Sequence, residues 1–171
     1  YSQLAPQLRQ RTHSLEMFSL GVCRFMLGFI MKVLIADQLA PINVLFISEG
    51  SLQLSDAWFG LVVSTLQLYF DFAGYSHMAL GLALMMGFRF PENFNQPYVS
   101  QSITEFWARW HMTLAHFLRD YVYMPLVRKR IAGALPALVY TMLLSGLWHG
   151  ASFAFICWGL FFGFGMVIER K

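Results

Sequence analysis

The sequence predicts an all-α, polytopic transmembrane protein, and three observations carry that prediction. First, 57% of the 171 residues are hydrophobic and 12% are charged, whereas soluble domains carry about 25% charged residues. Second, residues 131–168 contain no Asp, Glu, Lys or Arg. Third, basic residues gather at the ends of apolar runs, as Arg9 and Arg11, Arg128-Lys129-Arg130 and Arg170-Lys171, where cytoplasmic anchors sit. A large soluble core is the competing reading of this composition. The net charge of +3 lies in these clusters rather than along one exposed face. The expected partner is therefore the lipid bilayer, not nucleic acid.

Residues 15–35 are apolar except for Glu16, Arg24 and Lys32. Arg24 and Lys32 are eight apart and share a helical face, turned either to a protein interior or to an interface. Asp37, Pro41 and Asn43 predict a break, and residues 43–55 a loop or short interfacial segment with Glu49-Gly50-Ser51 at its turn. Residues 57–70 and 72–88 form apolar runs separated by Asp71. Together they supply one long span or two short ones, since about 20 residues cross a bilayer core. Asp71 is expected to cap a helix or to pair with a basic residue.

Residues 89–101 carry Pro91, Pro97 and two Asn and predict a loop packed at an interface. Ser102 or Thr104 is the expected N-cap of the next helix, with Glu105 in its first turn. In that helix Trp107, Trp110, His111, Leu114 and Leu118 fall on one stripe, leaving Arg109, Thr113 and His116 off it. Pro125 is expected to end it. A single helix over residues 131–168 would be about 57 Å long, against a bilayer core of about 30 Å. A break is therefore predicted at Ser145-Gly146 or at His149-Gly150, giving a helix pair with basic residues at both ends.

Cys23 and Cys157 lie in apolar runs and are expected as small buried hydrophobes rather than as a disulfide or metal ligands. The polar first fourteen residues predict no cleavable signal peptide. The start at Tyr1 reads as the start of a piece of a longer protein.

The chemistry begins at His149. An ionisable side chain in a segment that looks lipid-embedded is costly, and marks a functional site by default. His111 lies in a separate segment that a fold can bring alongside. A metal site is not expected: His111 and His116 are five apart, about 140° around a helix, and lack ligand spacing. Serine hydrolase chemistry lacks a Gly-x-Ser-x-Gly elbow around Ser145. Acyl transfer from a thioester to a hydroxyl needs a base near the acceptor oxygen, and a neutral imidazole suits that task. A second histidine can orient the first, hold the acceptor hydroxyl or polarise the acyl carbonyl. The competing reading makes each a core histidine with a satisfied hydrogen bond. His77 is expected to pack and His13 to be solvated. The Arg119-Asp120-Tyr121 triplet is either an internal ion pair or a contact for a polar substrate.

Five stretches carry a resemblance. They are residues 71–76 (Asp-Phe-Ala-Gly-Tyr-Ser), 87–95 (Gly-Phe-Arg-Phe-Pro-Glu-Asn-Phe-Asn), 105–114 (Glu-Phe-Trp-Ala-Arg-Trp-His-Met-Thr-Leu), 119–126 (Arg-Asp-Tyr-Val-Tyr-Met-Pro-Leu) and 146–150 (Gly-Leu-Trp-His-Gly). In this order, and over residues 57–168, the chain resembles the membrane-bound O-acyltransferase family. It is similar to the bacterial branch that holds alginate O-acetyltransferase membrane subunits and teichoic acid D-alanyl transfer proteins.

The resemblance implies a ring of transmembrane and re-entrant helices around a tunnel, of which this chain is a C-terminal portion. It implies one integral-membrane catalytic region over residues 1–171. His149 matches the family's catalytic histidine and His111 its second active-site position. Trp107, Trp110 and Trp148 are expected to line the tunnel, with Asp120 and Tyr121 as further substrate contacts. No cofactor or metal is expected to be bound. Acetyl-CoA or an acyl carrier thioester is the implied donor, and an extracytoplasmic polysaccharide the acceptor. The implied partner is a periplasmic acyltransferase or relay protein, and the implied location the bacterial inner membrane. Two departures stand out: His77 replaces the usual Asp, and Val127-Arg128-Lys129-Arg130 replaces a usual glycine pair. They leave alginate, cellulose, peptidoglycan and other glycans open as acceptors. The reading from another class is a transporter or channel subunit with His149, Asp71 and Arg24 in a polar pathway; a scaffold whose histidines only pack is a third.

Overall fold

The computed structural model describes residues 5–48 and 53–170. Every regular element among them is helical, and they form two compact units, Tyr1–Pro91 and Glu92–Lys171.

The first unit opens with α1 (Ala5–Arg9) and α2 (Leu15–Ile30). Ser14 caps α2, its hydroxyl accepting from the Met17 N–H at 3.0 Å. A π-helical turn, Met31–Ala36, joins α2 to α3 (Asp37–Ser48). The helical run Leu15–Phe46, whose 18-residue apolar stretch has a mean hydropathy of 1.9, is the one helix among the described residues long and apolar enough to cross a membrane.

The break expected at Asp37, Pro41 and Asn43 is therefore absent, and helix replaces the expected loop as far as Ser48. The wide turn explains part of this. The Asp37 N–H donates to Lys32 O, five residues back, and the Gln38 side chain donates to Val33 O at 3.3 Å. The helix thus shifts its hydrogen-bond register just before proline removes a donor. Asn43 accepts a side-chain hydrogen bond from Ser64 instead of starting a turn. The expected turn at Glu49-Gly50-Ser51 lies outside the described residues.

The two apolar runs around Asp71 form one helix, α4 (Leu54–Met85), 32 residues long. It ends in a Schellman motif: Gly87 has φ +83, its N–H donates to Leu84 O at 3.0 Å, and the Phe88 N–H donates to Ala83 O at 2.8 Å. Two glycine pairs set the α2–α4 contact. Gly21 faces Gly81, and Gly28 faces Gly74, each at the other's backbone carbonyl. Lipid gives little hydrophobic drive to join helices, so such close backbone approach supplies the contact.

Asp71 pairs with a basic residue, as expected. Lys32 Nζ lies 2.6 Å from Asp71 and 2.7 Å from Asp37. Residues five apart lie on different faces of an α-helix, so the π turn is what lets Lys32 reach both carboxylates. Lys32→Met is expected to lower the melting temperature of the detergent-solubilised full-length protein by several degrees, because it leaves two facing carboxylates unpaired. Adding Asp71→Asn should recover part of the loss; no recovery would mean that the lysine acts through packing alone. His77 packs beside Gly28, and His13 is exposed, both as expected. Cys23 and Cys157 are free, but exposed rather than buried. Each occupies an outward face of its apolar helix, so its exterior suits lipid rather than a protein core.

The second unit begins with a loop and a short 3-10 turn, Pro97–Val99, with Pro97 fully buried. Ser102 caps α5 (Ile103–Arg109) by accepting from the Glu105 N–H at 3.0 Å. Thr104, the other cap candidate, donates to Glu169 at 2.9 Å. The continuous helix expected through Leu118 is broken at Trp110-His111, and α6 (Met112–Leu118) starts afresh. Pro125 does not end the segment. A π turn, Arg119–Tyr123, leads into α7 (Met124–Arg128), and Pro125 sits in the first turn of α7, where its missing N–H costs nothing.

α7 closes with Arg130 at φ 56. The Arg130 N–H donates to Val127 O and the Ile131 N–H to Leu126 O, both at 3.0 Å. This is a second Schellman motif, with arginine in the glycine position. Arg130→Gly is expected to stabilise the protein by about 1 kcal/mol by relieving the left-handed strain; an unchanged or lowered melting temperature would show that the side chain repays that strain.

α8 (Ala134–His149) and α9 (Phe153–Glu169) form the expected helix pair, with the break at His149-Gly150. Ser145 and Gly146 are instead buried within α8. A Cβ on Gly159 would meet Leu143 Cα at 3.0 Å, and one on Gly163 would meet Val139 Cα at 3.1 Å. The core of this unit is Leu138, Met142 and Met166, packed by Ile103, Trp107, Tyr123, Phe162 and Val167.

Candidate active site

The turn between α5 and α6 is built by the loop before it. The Asn95 N–H donates to Arg109 O, and the Met112 N–H donates to Asn93 O, both at 2.9 Å. Between these clamps His111 takes φ 47 and ψ 51, the left-handed region. Non-glycine residues held this way cluster at functional sites. The Asn93 side chain completes the clamp. Its Oδ1 lies 3.0 Å from His111 Nδ1 and accepts from Thr113 Oγ1 at 2.8 Å and from the Thr113 N–H at 3.3 Å.

The start of α5 is held from the far end of α9. Glu169 accepts from the backbone N–H groups of Ile103 and Thr104 and from the Thr104 hydroxyl. A carboxylate there also complements the positive end of the helix. Within α5, Glu105 accepts from the Gln101 N–H at 2.9 Å and pairs with Arg109 at 2.8 Å. The Gln101 N–H, and after it the Arg109 guanidinium, hold the Glu105 carboxyl below the usual range.

His149 is the last residue of α8 and is exposed on this chain. Its ring stacks on Phe155, centroids 5.9 Å apart, and meets Trp158 edge-on at 5.3 Å. The Trp148 ring lies near both histidines, its centroid 4.9 Å from that of His149 and 6.2 Å from that of His111. The imidazoles are near enough to interact electrostatically. Two segments 38 residues apart in sequence thus deliver both histidines to one indole.

A cavity of about 300 Å3 lies inside this unit. Leu114, Leu118, Leu138, Met142 and Met166 give it an apolar wall, while His111, His116, Thr104, Arg119, Ser145 and Arg170 place polar groups on it. Trp107 also lines it, held edge-on by Trp158 at 5.2 Å and Phe162 at 5.1 Å. The Trp107 indole N–H is buried and meets no acceptor among the described residues.

Of the other residues expected at the site, Trp148 lies against the two histidines, whereas Trp110, Asp120 and Tyr121 do not line the cavity. Trp110 stacks on Phe106 at 5.6 Å and meets Phe94 edge-on at 5.0 Å, within an aromatic cluster that does not line the cavity. Trp148 is 62% exposed. Asp120 pairs with its neighbour Arg119 at 2.8 Å, and both are exposed. Tyr121 is exposed beside Phe117. Asn93, Thr113, His116 and Arg170 were not among the expected site residues. The signal for Asn93 was present, as an Asn within the distinctive residues 87–95.

The sequence matches a known family and several known proteins. The sequence model of the MBOAT, membrane-bound O-acyltransferase family, covers residues 1–170. The chain is 54% identical to the probable alginate O-acetylase AlgI of Azotobacter vinelandii, over 99% of this chain and 34% of that protein. It is 37% identical to the peptidoglycan O-acetyltransferase of Helicobacter pylori, over 99% of this chain and 33% of that protein. It is 35% identical to the teichoic acid D-alanyltransferase of Streptococcus thermophilus, over 93% of this chain and 42% of that protein. The chain spans about a third of the length of the first two. With a family match from end to end, and with both histidine segments inside it, the chain belongs to the membrane-bound O-acyltransferase family.

Proposed function

We propose that the protein containing this chain is a multi-pass inner-membrane O-acetyltransferase that passes acetyl groups toward hydroxyls of an extracytoplasmic polysaccharide, alginate-like in the first instance. The observation that carries this reading is the convergence of His149 and His111 on Trp148, with His111 opening onto an apolar cavity. The similarity to the probable alginate O-acetylases supports the acetyl group and the glycan class.

His149 acts as the base. It takes the proton of an acceptor hydroxyl as the oxygen attacks the thioester carbonyl, and the imidazolium returns a proton to the departing thiolate. His111 is its partner. The donor is acetyl-CoA or an acyl carrier thioester presented from the cytoplasmic side, and a periplasmic acyltransferase or relay protein completes the transfer. The remaining part of the longer protein completes a helix ring around the tunnel. The exposed apolar faces of the described helices, with Leu34 63%, Trp58 63% and Phe161 69% exposed, suit contact with lipid and with those further helices.

The test uses the purified full-length protein and its periplasmic partner with labelled acetyl thioester and a polysaccharide acceptor. Label is expected to move from thioester to ester linkage. Solute movement across proteoliposomes without thioester consumption would replace this reading with transport.

A further inference from the structure

Within that acyl-transfer reading, the roles open to His111 are to hold the acceptor hydroxyl, to orient His149 or to polarise the acyl carbonyl. The first two can use an accepting nitrogen, whereas the last needs a donating one. The hydrogen bonds around Asn93 decide which nitrogen is which.

The backbone N–H of Thr113 donates to Asn93 Oδ1 at 3.3 Å. A backbone N–H is never an acceptor, so the amide atom facing it is the oxygen. A flipped amide would set its NH2 against that N–H. The Thr113 hydroxyl at 2.8 Å fits the same atom as a donor. His111 Nδ1 lies 3.0 Å from this oxygen, and a carbonyl oxygen only accepts, so Nδ1 carries the proton. A neutral imidazole holds one N–H, which leaves Nε2 as the ring's accepting nitrogen. Asn93 is uncharged and so favours this tautomer without fixing the ring as a cation, as a carboxylate in its place would. Its backbone carbonyl also accepts from Met112 beside the left-handed His111. One residue therefore sets both the turn and the ring.

We propose that Asn93 is a positioning residue that holds His111 as the Nδ1–H tautomer, so that His111 meets the reaction through an accepting Nε2, which rules out its polarising the acyl carbonyl. This rests on the acyl-transfer reading only for the role it rules out; the tautomer stands on geometry alone.

The test uses histidine-labelled full-length protein in lipid, with the His111 resonances assigned by difference against His111→Gln. The parent is expected to show the Nδ1–H tautomer. Asn93→Leu, close in size but without the acceptor, should lose it and lower kcat roughly 10- to 100-fold, with KM for the acetyl thioester near its parent value. Asn93→Asp keeps an accepting oxygen and should keep Nδ1 protonated, recovering part of kcat at a pH high enough to deprotonate Nε2. An Nε2–H tautomer in the parent overturns the assignment, whatever the variants do. An unchanged tautomer in Asn93→Leu overturns the role of Asn93. Should Asn93→Leu fail to fold, the parent spectrum and Asn93→Asp still decide. The proposed tautomer together with full transfer activity in His111→Gln would overturn a part for the accepting Nε2 in the reaction and leave the acyl-transfer function of the protein standing.

Discussion

His149→Ala in the full-length protein is expected to abolish acetyl transfer while leaving the protein at normal abundance in the membrane. The expected loss is about 100- to 10,000-fold, the usual contribution of a positioned general base. The fold should tolerate the change. His149 ends α8, its ring rests on the exposed side of the pair, and its neighbours Phe155 and Trp158 hold each other's region through α9. The measurement is ester-linked acetyl on envelope glycans, normalised to membrane abundance by immunoblot. Persistent acetylation at normal abundance would remove the base role from His149 and leave it as a packed aromatic. A parallel His111→Ala should also lose activity. Its effect on stability should be larger, because it frees the Asn93 side chain from one of its partners within the clamp.

What was legible in the sequence follows from where its information is local. The helix pair over residues 131–168 was legible because 38 uncharged residues are too long for one crossing, and glycine follows His149 at the break. The interruption at His111 was not. Trp107, Trp110, His111, Leu114 and Leu118 have perfect helical spacing, and the group that overrides it, Asn93, lies 18 residues away from His111. Tertiary hydrogen bonds outweigh a weak local preference. The same break explains the placement of the aromatics. An unbroken helix would put Trp107 and Trp110 on one face, whereas the turn sends Trp107 to the cavity and Trp110 into the Phe94–Phe106 cluster.

The π turns escaped for a related reason. One extra residue in a helical repeat leaves composition and hydropathy unchanged, and only the Lys32 ion pairs with Asp37 and Asp71 give the first one away. At the site, the two histidines were legible because an ionisable group in apolar surroundings is expensive. Asn93 carries no such cost as an uncharged loop residue, and its one mark in the sequence is its place within residues 87–95.

The second large effect is expected at Gly28, where leucine should leave little folded protein. A Cβ on Gly28 would lie 2.6 Å from the Met78 nitrogen and 2.8 Å from His77 Cβ, with the Gly74 carbonyl also in its way. These neighbours are mostly backbone, and backbone cannot rotate aside as a flexible side chain can. The α4 helix would have to move away along its length. Doing so would also part Gly21 from Gly81, seven residues along each helix, and stretch the Lys32–Asp71 pair. Overpacking a tight contact costs about 1–3 kcal/mol, and occasionally more; here one side chain acts against a whole interface, so the upper end is expected. Gly133→Ala is the matched control, since its Cβ would meet only Pro136 Cδ at 3.7 Å, an ordinary contact. The readout is monodisperse protein recovered in detergent and its melting temperature. Parent-like recovery and melting of Gly28→Leu would mean that the α2–α4 contact is held by its ion pair and side chains, with the glycine pairs merely tolerated.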